Sequence, residues 1–254
     1  MANYDLLGNI ALIKFPRNTK LSAKKVFANK FLKQHKQITT VLEKSNKISG
    51  RLRTSKTKFI SGLKTKEVLY RENNCLFRFN IDTCYFSPRL STERLELAKK
   101  VKRNENVLIM FGGVAPFAVV MAKNSKAKKV TSIELSRACS KYAIENVKRN
   151  KLSNVEIIQG NVRTKTPDKK FNRIIMARPN LKDSFLDITF SKIKSNGTIH
   201  YYGFYPEEEK HKLLELIKLE AKKAKKKIRI LRIKKAGEIG VKKFRWRVDF
   251  IVVN

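Results

Sequence analysis

The sequence predicts an α/β protein with a doubly wound parallel sheet, preceded by a small N-terminal α+β domain. Three observations predict it. From about residue 91 onward, strand-like and helix-like runs alternate, as they do when βα units build one parallel sheet. Before that point a single helical stripe lies among short strand-like runs. Between 106 and 117, NVLIMFGGVAPF runs from an apolar strand into a glycine pair and then into a helix start. At such a junction the chain turns sharply and a ligand can approach the backbone closely.

In the first domain, taken as residues 1–84, Asn9 to Phe15 reads as a strand. Ser22 to His35 carries Val26, Phe27, Phe31 and Leu32 at helical spacing. ITTVLEK (38–44) is a further strand. EVLYRENNCLFRFNIDT (67–83) is a hairpin turning at Glu72-Asn73-Asn74. The basic, glycine-punctuated stretch 47–66 between them reads as an exposed loop or irregular edge.

The second domain, 85–254, is expected to run in order. Thr92–Lys102 is a helix, Asn106–Met110 a strand, Pro116–Lys123 a helix and Lys129–Ile133 a strand. Ser136–Asn150 is a helix with Ser136 as N-cap, and Val155–Gln159 and Phe171–Met176 are strands. A helix starts near Lys182, Thr198–Phe204 is a strand and Glu207–Lys226 a long basic helix. Lys227–Ile233 and Arg245–Val252 close the chain as an antiparallel hairpin.

The charge is the outstanding feature of the composition. Fifty-eight Lys and Arg stand against 21 Asp and Glu, a net charge of +37. Such a surplus repels itself and attracts polyanions, and nucleic acid is the partner it points to. Thermal adaptation enriches lysine too, but with glutamate, and acids are scarce here. Cys75, Cys84 and Cys139 form no CxxC or CxxH pattern, so no metal is expected. No apolar run approaches the ~18 residues of a membrane helix. A cytoplasmic protein that leaves membranes alone is the expectation. The absence of a long apolar surface stripe points to a monomer.

The glycine junction has companions. Glu134 ends the strand that follows Gly112 and Gly113, where a carboxylate can accept both hydroxyls of a ribose. Asn161 follows the third strand, where an amide can meet an adenine edge. Together these describe an adenosine pocket along the carboxyl ends of a sheet. The GGVA spacing falls short of GxGxxG and disfavours a dinucleotide. Read singly, each residue is also compatible with a plain βα turn.

The run from Tyr85 to Arg94, YFSPRLSTER, closely resembles the signature of archaeal and eukaryotic tRNA (guanine-37-N1)-methyltransferases and their wyosine-pathway relatives. IMFGGVAPF (109–117), SNGTIHYYGFYPEE (195–208), RVDFIVV (247–253) and YDLLGNIALIKFP (4–16) resemble other stretches of that family. The resemblance spans nearly the whole chain. It implies a tRNA-binding first domain, a Rossmann-like methyltransferase domain, S-adenosyl-L-methionine as cofactor and tRNA as partner. It also implies that the family's additional, tRNA-gripping N-terminal domain is lacking.

By the same resemblance, Glu93 is the base that takes the N1 proton of guanine, a task suited to a carboxylate. Taken alone, Glu93 reads as a first-turn helix acid. Arg53, with Arg51 as its alternative, stabilises charge developing on O6. The cofactor falls to Phe111, Gly112, Gly113, Val114, Pro116, Glu134, Leu135, Asn161, Val162 and Arg94. The substrate falls to Tyr85, Arg89, Arg178, Pro179 and Asn180. Tyr85 or Phe86 stacks on a flipped base or packs on the cofactor. Four positions depart from the family's pattern: Ile109 and Asn161 replace aspartates, Ala115 replaces a glycine and Ala177 an asparagine. The last leaves Arg178 or Asn180 to meet the guanine. Two other readings remain open: aminocarboxypropyl transfer from the same cofactor to a wyosine precursor, and a tRNA-binding protein without catalysis. The lysine-rich helix near the C-terminus is either a solvated helix packed on the sheet or a tRNA contact.

Overall fold

The computed structural model describes residues 3–44, 56–177, 183–240 and 242–253, and the chain divides into two compact units, Met1–Pro88 and Arg89–Asn254. In the first, β1 (Asn3–Leu7), β2 (Ile10–Lys14), β3 (Thr40–Lys44) and β4 (Thr57–Gly62) form a sheet in that order. The β2–β3 pair is parallel and the other two are antiparallel. Helix α1 (Leu21–Gln34) lays Ala28 and Phe31 on a core of Ala11, Ile13, Val41 and Ile60. The hairpin of β5 (Glu67–Glu72) and β6 (Cys75–Asn80) turns at Asn73 and Asn74, both at positive φ, as a two-residue hairpin with the sheet's twist requires. The expected loop 47–66 is corrected over 57–62. There, β4 pairs with β3 and buries Thr57 and Ile60, three positions apart, a spacing that hides the strand from a period-two reading.

The second unit holds α2 (Ser91–Lys100), β7 (Asn106–Met110), α3 (Pro116–Asn124), β8 (Lys129–Glu134), α4 (Arg137–Arg149) and β9 (Val155–Gln159). These are followed by α5 (Val162–Lys165), β10 (Phe171–Met176), α6 (Leu186–Lys192), β11 (Ile193–Pro206), α7 (Lys210–Lys223), β12 (Lys227–Gly240) and β13 (Lys243–Val253). The sheet order is β12-β13-β11-β10-β7-β8-β9. Strands β7 to β11 are parallel, and β13 and β12 add antiparallel. The expected alternation is therefore present. The helix placed near Lys182 starts at Leu186, and the four-residue α5 was not foreseen. Strand order reverses between β7 and β10, and ligands of open α/β sheets bind at such a point, outside the carboxyl ends of the strands.

The sheet's two faces differ chemically. Leu108, Met110, Ile174, Met176, Ile199, Tyr201, Val248 and Phe250 join Leu186 and Phe190 of α6 and Leu213 and Ile217 of α7 in one apolar core. The alternate positions on the other face carry Arg173, His200, Tyr202, Arg247 and Asp249, all buried, and meet α2.

Candidate active site

Three strand ends build a cradle. After β7 the chain turns through Phe111 at φ 64°, Gly113 at φ 57° and Ala115 at φ 65°. Gly112 N–H donates to the Ile133 carbonyl at 2.8 Å. A Cβ on Gly112 would overlap Ser132 Oγ, so glycine is required there for contact rather than for φ. Pro116 opens α3 at a position where its missing N–H costs nothing. The Val114 carbonyl accepts from Asn146 Nδ2 of α4 at 3.1 Å.

Glu134 closes the second side. Its Oε2 accepts the Gly113 N–H at 2.7 Å and its Oε1 the Ser136 N–H at 2.7 Å. Burial pushes this carboxyl above its ordinary range against the pull of those N–H groups. Each carboxylate oxygen has a second lone pair, so the group can also accept hydroxyls. Leu135 is exposed beside it, and its carbonyl accepts from Gln159 Nε2. Asn161 supplies the third side: its Oδ1 caps α5 through the Arg163 N–H at 3.0 Å, and Val162 is buried behind it. Gly112, Gly113, Glu134 and Asn161 are thus brought together at three adjacent strand ends.

Ala115 and Ile109 show what the sequence departures do. Ala115 is buried in the left-handed region, a conformation that glycine adopts without strain. Ile109 is fully buried within β7.

A wall of the cradle escaped sequence reading. Phe111 meets Phe185 edge to face, and the Arg163 guanidinium lies 5.0 Å from the Phe185 ring centre. Arg163 also pairs with Asp183 at 2.8 Å and Asp187 at 2.6 Å. Those hydrogen bonds push its already high pKa further up. No short motif signals a contact between residues so far apart in the chain.

Glu93 lies in the first turn of α2, buried on the charged face of the sheet. Arg247 Nη1 donates to Glu93 Oε1. Arg247 Nη2 donates to Glu96 Oε1 at 2.6 Å and to Asp249 Oδ2 at 3.1 Å, while Nε lies 2.8 Å from Asp249 Oδ1 but out of line for a hydrogen bond. Lys234 pairs with Glu96 and stands 3.7 Å from Glu93 Oε1. Lys100 reaches Asp249 at 2.9 Å.

His200 extends the network, with Nδ1 2.6 Å from Asp249 Oδ1 and Nε2 2.7 Å from Arg173 Nη1. A guanidinium only donates, so Nε2 accepts and His200 is the neutral Nδ1–H tautomer. Burial pulls its pKa down, more than Asp249 restores. Burial pushes Asp249 up, but His200, Arg247 and Lys100 outweigh it and hold its carboxyl well below the ordinary range. Burial raises Glu96 as well, and Lys234 foremost reverses that.

Arg94, fully buried, lies 5.7 Å from the Phe117 ring in the first turn of α3, so the start of α2 reaches the helix that leaves the cradle. Arg89 is exposed. In the first unit Tyr85 is half-buried. Phe86 stacks on Phe79 at 4.8 Å and meets Tyr70 and Phe77, so its ring is committed to the hairpin. Arg51, Arg53, Arg178, Pro179 and Asn180 lie outside the described residues.

Comparison with known proteins gives a consistent result. The sequence pattern of the TRM5/TYW2 methyltransferase domain matches residues 68–231. The tRNA (guanine(37)-N(1))-methyltransferase Trm5b of Pyrococcus abyssi is 36% identical over 98% of this chain and 74% of its own length. The crystal structure of that organism's Trm5b superposes with a TM-score of 0.88 at 34% identity, over 99% of this chain and 75% of its own. The Nanoarchaeum equitans tRNA (guanine(37)-N(1))/4-demethylwyosine(37)-methyltransferase Taw22 is 31% identical over 99% of this chain and all of its own. M. jannaschii TYW2, solved in complex with AdoMet, superposes with a TM-score of 0.74 at 25% identity, over 99% of this chain and 100% of its own.

Proposed function

This chain belongs to the TRM5/TYW2 methyltransferase family, and we propose that it methylates N1 of guanosine 37 in tRNA, using S-adenosyl-L-methionine. The observation that carries the reading is the cradle at the ends of β7, β8 and β9. The residues present fit the cofactor: the glycine pair turns the chain sharply beside Glu134, Glu134 offers acceptors for ribose hydroxyls, and among the described residues the Asn161 side chain makes no hydrogen bond other than the cap of α5. When bound, the cofactor supplies an electrophilic sulfonium methyl group.

Glu93 is the base in this reading. It would take the proton from guanine N1 as that nitrogen accepts the methyl group and the S–C bond breaks to leave a neutral thioether, and proton removal by a placed carboxylate contributes about 10²–10⁴-fold. Arg53 stabilises the charge that shifts toward O6. Arg94 borders the cofactor side, while Tyr85, Arg89, Arg178, Pro179 and Asn180 hold the nucleotide. The small first domain and the surplus of lysine grip the tRNA through its phosphates. The enzyme works as a cytoplasmic monomer. Among the described residues no helix is long and apolar enough to cross a membrane.

The test uses tRNA transcripts carrying G37, A37 or a wyosine precursor, with cofactor labelled separately in the methyl and the aminocarboxypropyl arm. Methyl label on G37, lost in Glu93→Gln, is the expected result. Methyl label on the wyosine precursor as well extends the activity to a second substrate. Label from the other arm, or salt-sensitive tRNA binding without any transfer, overturns the reading.

A further inference from the structure

We propose that Arg247 is a positioning residue for proton removal: it fixes one oxygen of the Glu93 carboxylate and leaves the other as the proton acceptor. The proposal rests on Glu93 being the base. Arg247 is fully buried on β13. Its fork reaches Glu93 and Glu96, one helical turn apart on α2, and Asp249 on its own strand. Three carboxylates from two elements thus bracket one planar guanidinium. A guanidinium presents its donors in a rigid fork, so this bracket sets the rotation of the Glu93 side chain as well as its location. Only Oε1 of Glu93 is engaged; Oε2 takes no hydrogen bond among the described residues.

Stability alone is a poor account of this arrangement, because a buried ion pair contributes little beyond what apolar residues of similar volume provide. Geometry offers a functional one: one oxygen of Glu93 is held and the other is left open. Glu93, Glu96 and Asp249 face Arg247, Lys100, Lys234 and Arg232. Neutral His200 sits beyond Asp249, and Tyr202 stands opposite Arg247 on β11.

The experiment measures single-turnover methyl transfer, with cofactor and tRNA saturating, for wild type, Arg247→Met, Glu93→Gln and the double variant. Cofactor affinity is measured by calorimetry and folding by thermal melt. Arg247→Met is expected to slow transfer about 10- to 100-fold, the scale on which misplacement of a reacting group acts, with cofactor affinity unchanged. Against Glu93→Gln the same substitution is expected to cost nothing further. Equal losses in both backgrounds overturn the proposal, since Arg247 then acts independently of Glu93. A Glu93→Gln variant as fast as wild type instead removes the base reading itself. Should Arg247→Met fail to fold, Arg247→Lys keeps the charge but not the fork. It is expected to show the same loss in the wild-type background alone, and transfer at the wild-type rate overturns the proposal.

Discussion

Phe111 and Phe185 meet edge to face with ring centres 5.0 Å apart, and both backbones lie in the left-handed region, at φ 64° and 57°. A bulky side chain in that region is uncommon, and each costs about 1–2 kcal/mol. Edge-to-face pairing returns about 0.5–1.5 kcal/mol. The Phe185 N–H also donates to Asp183 Oδ1 at 2.9 Å, and Asp183 is the carboxylate that Arg163 grips. Arg163 therefore fixes the residue whose ring packs on the loop after β7. Replacing Arg163 with Met is expected to lower overall stability by less than about 1 kcal/mol, because its ion pairs are exposed. Cofactor affinity, measured by calorimetry without tRNA, is expected to weaken several-fold. A melt shift with unaltered affinity would contradict this.

Gly112→Ala places a methyl group on Ser132 Oγ. Overpacking of this kind costs about 1–3 kcal/mol, and here it also displaces the Gly113 N–H from Glu134. The double change Gly112→Ala with Ser132→Ala is expected to recover most of the stability. Denaturant midpoints of the two variants and wild type decide it.

Glu134 ties stability to pH. Its folded-state pKa is raised above the unfolded 4.5, so the folded chain keeps this proton longer than the unfolded chain does. Stability from this group is greatest below 4.5 and is lost as pH rises through the raised value. Glu134→Gln is expected to lack that loss, so its stability relative to wild type improves across the window. Its cofactor affinity is expected to fall about tenfold, since hydrogen bonds to a charged acceptor contribute about 1.5–3 kcal/mol. Urea titrations at several pH values, paired with calorimetry, test both.

The charged face responds in the opposite direction. His200 has a lowered pKa, so below its unfolded value of 6.5 the unfolded chain takes the proton more readily, and stability is lost as pH falls. Asp249, also lowered, adds stability above 3.8 that is lost only in stronger acid. His200→Gln is expected to shrink the stability difference between pH 7.5 and pH 5. Asp249→Asn breaks pairs with Lys100 and His200 and is expected to cost about 3–5 kcal/mol. Both follow from urea midpoints at the two pH values.

Much of the fold and the cradle was legible in advance because both depend on local signals. Strand β7 is a run of buried apolar residues, Ser136 accepts the Cys139 N–H as a helix cap should, and Glu134 follows from strand spacing. The other parts depend on partners distant in the chain. Arg247 and Glu93 are 154 residues apart, and no periodicity links them. Arg163 reads as a surface cation until Asp183 and Asp187 are brought to it. Strand β4 takes its identity from β3, because its buried positions Thr57 and Ile60 do not alternate.

The cluster under α2 also divides the protein's response to ionic strength. Its three carboxylates offset all but one of its cations, and His200 is neutral, so almost none of the +37 surplus resides there. The surplus belongs to the rest of the chain, where mobile ions screen exposed charges within about 8 Å at physiological salt. Buried pairs are screened far less. Added salt therefore loosens polyanion capture while the sheet and its first helix stay locked, and one chain combines a salt-sensitive coat with a salt-indifferent interior.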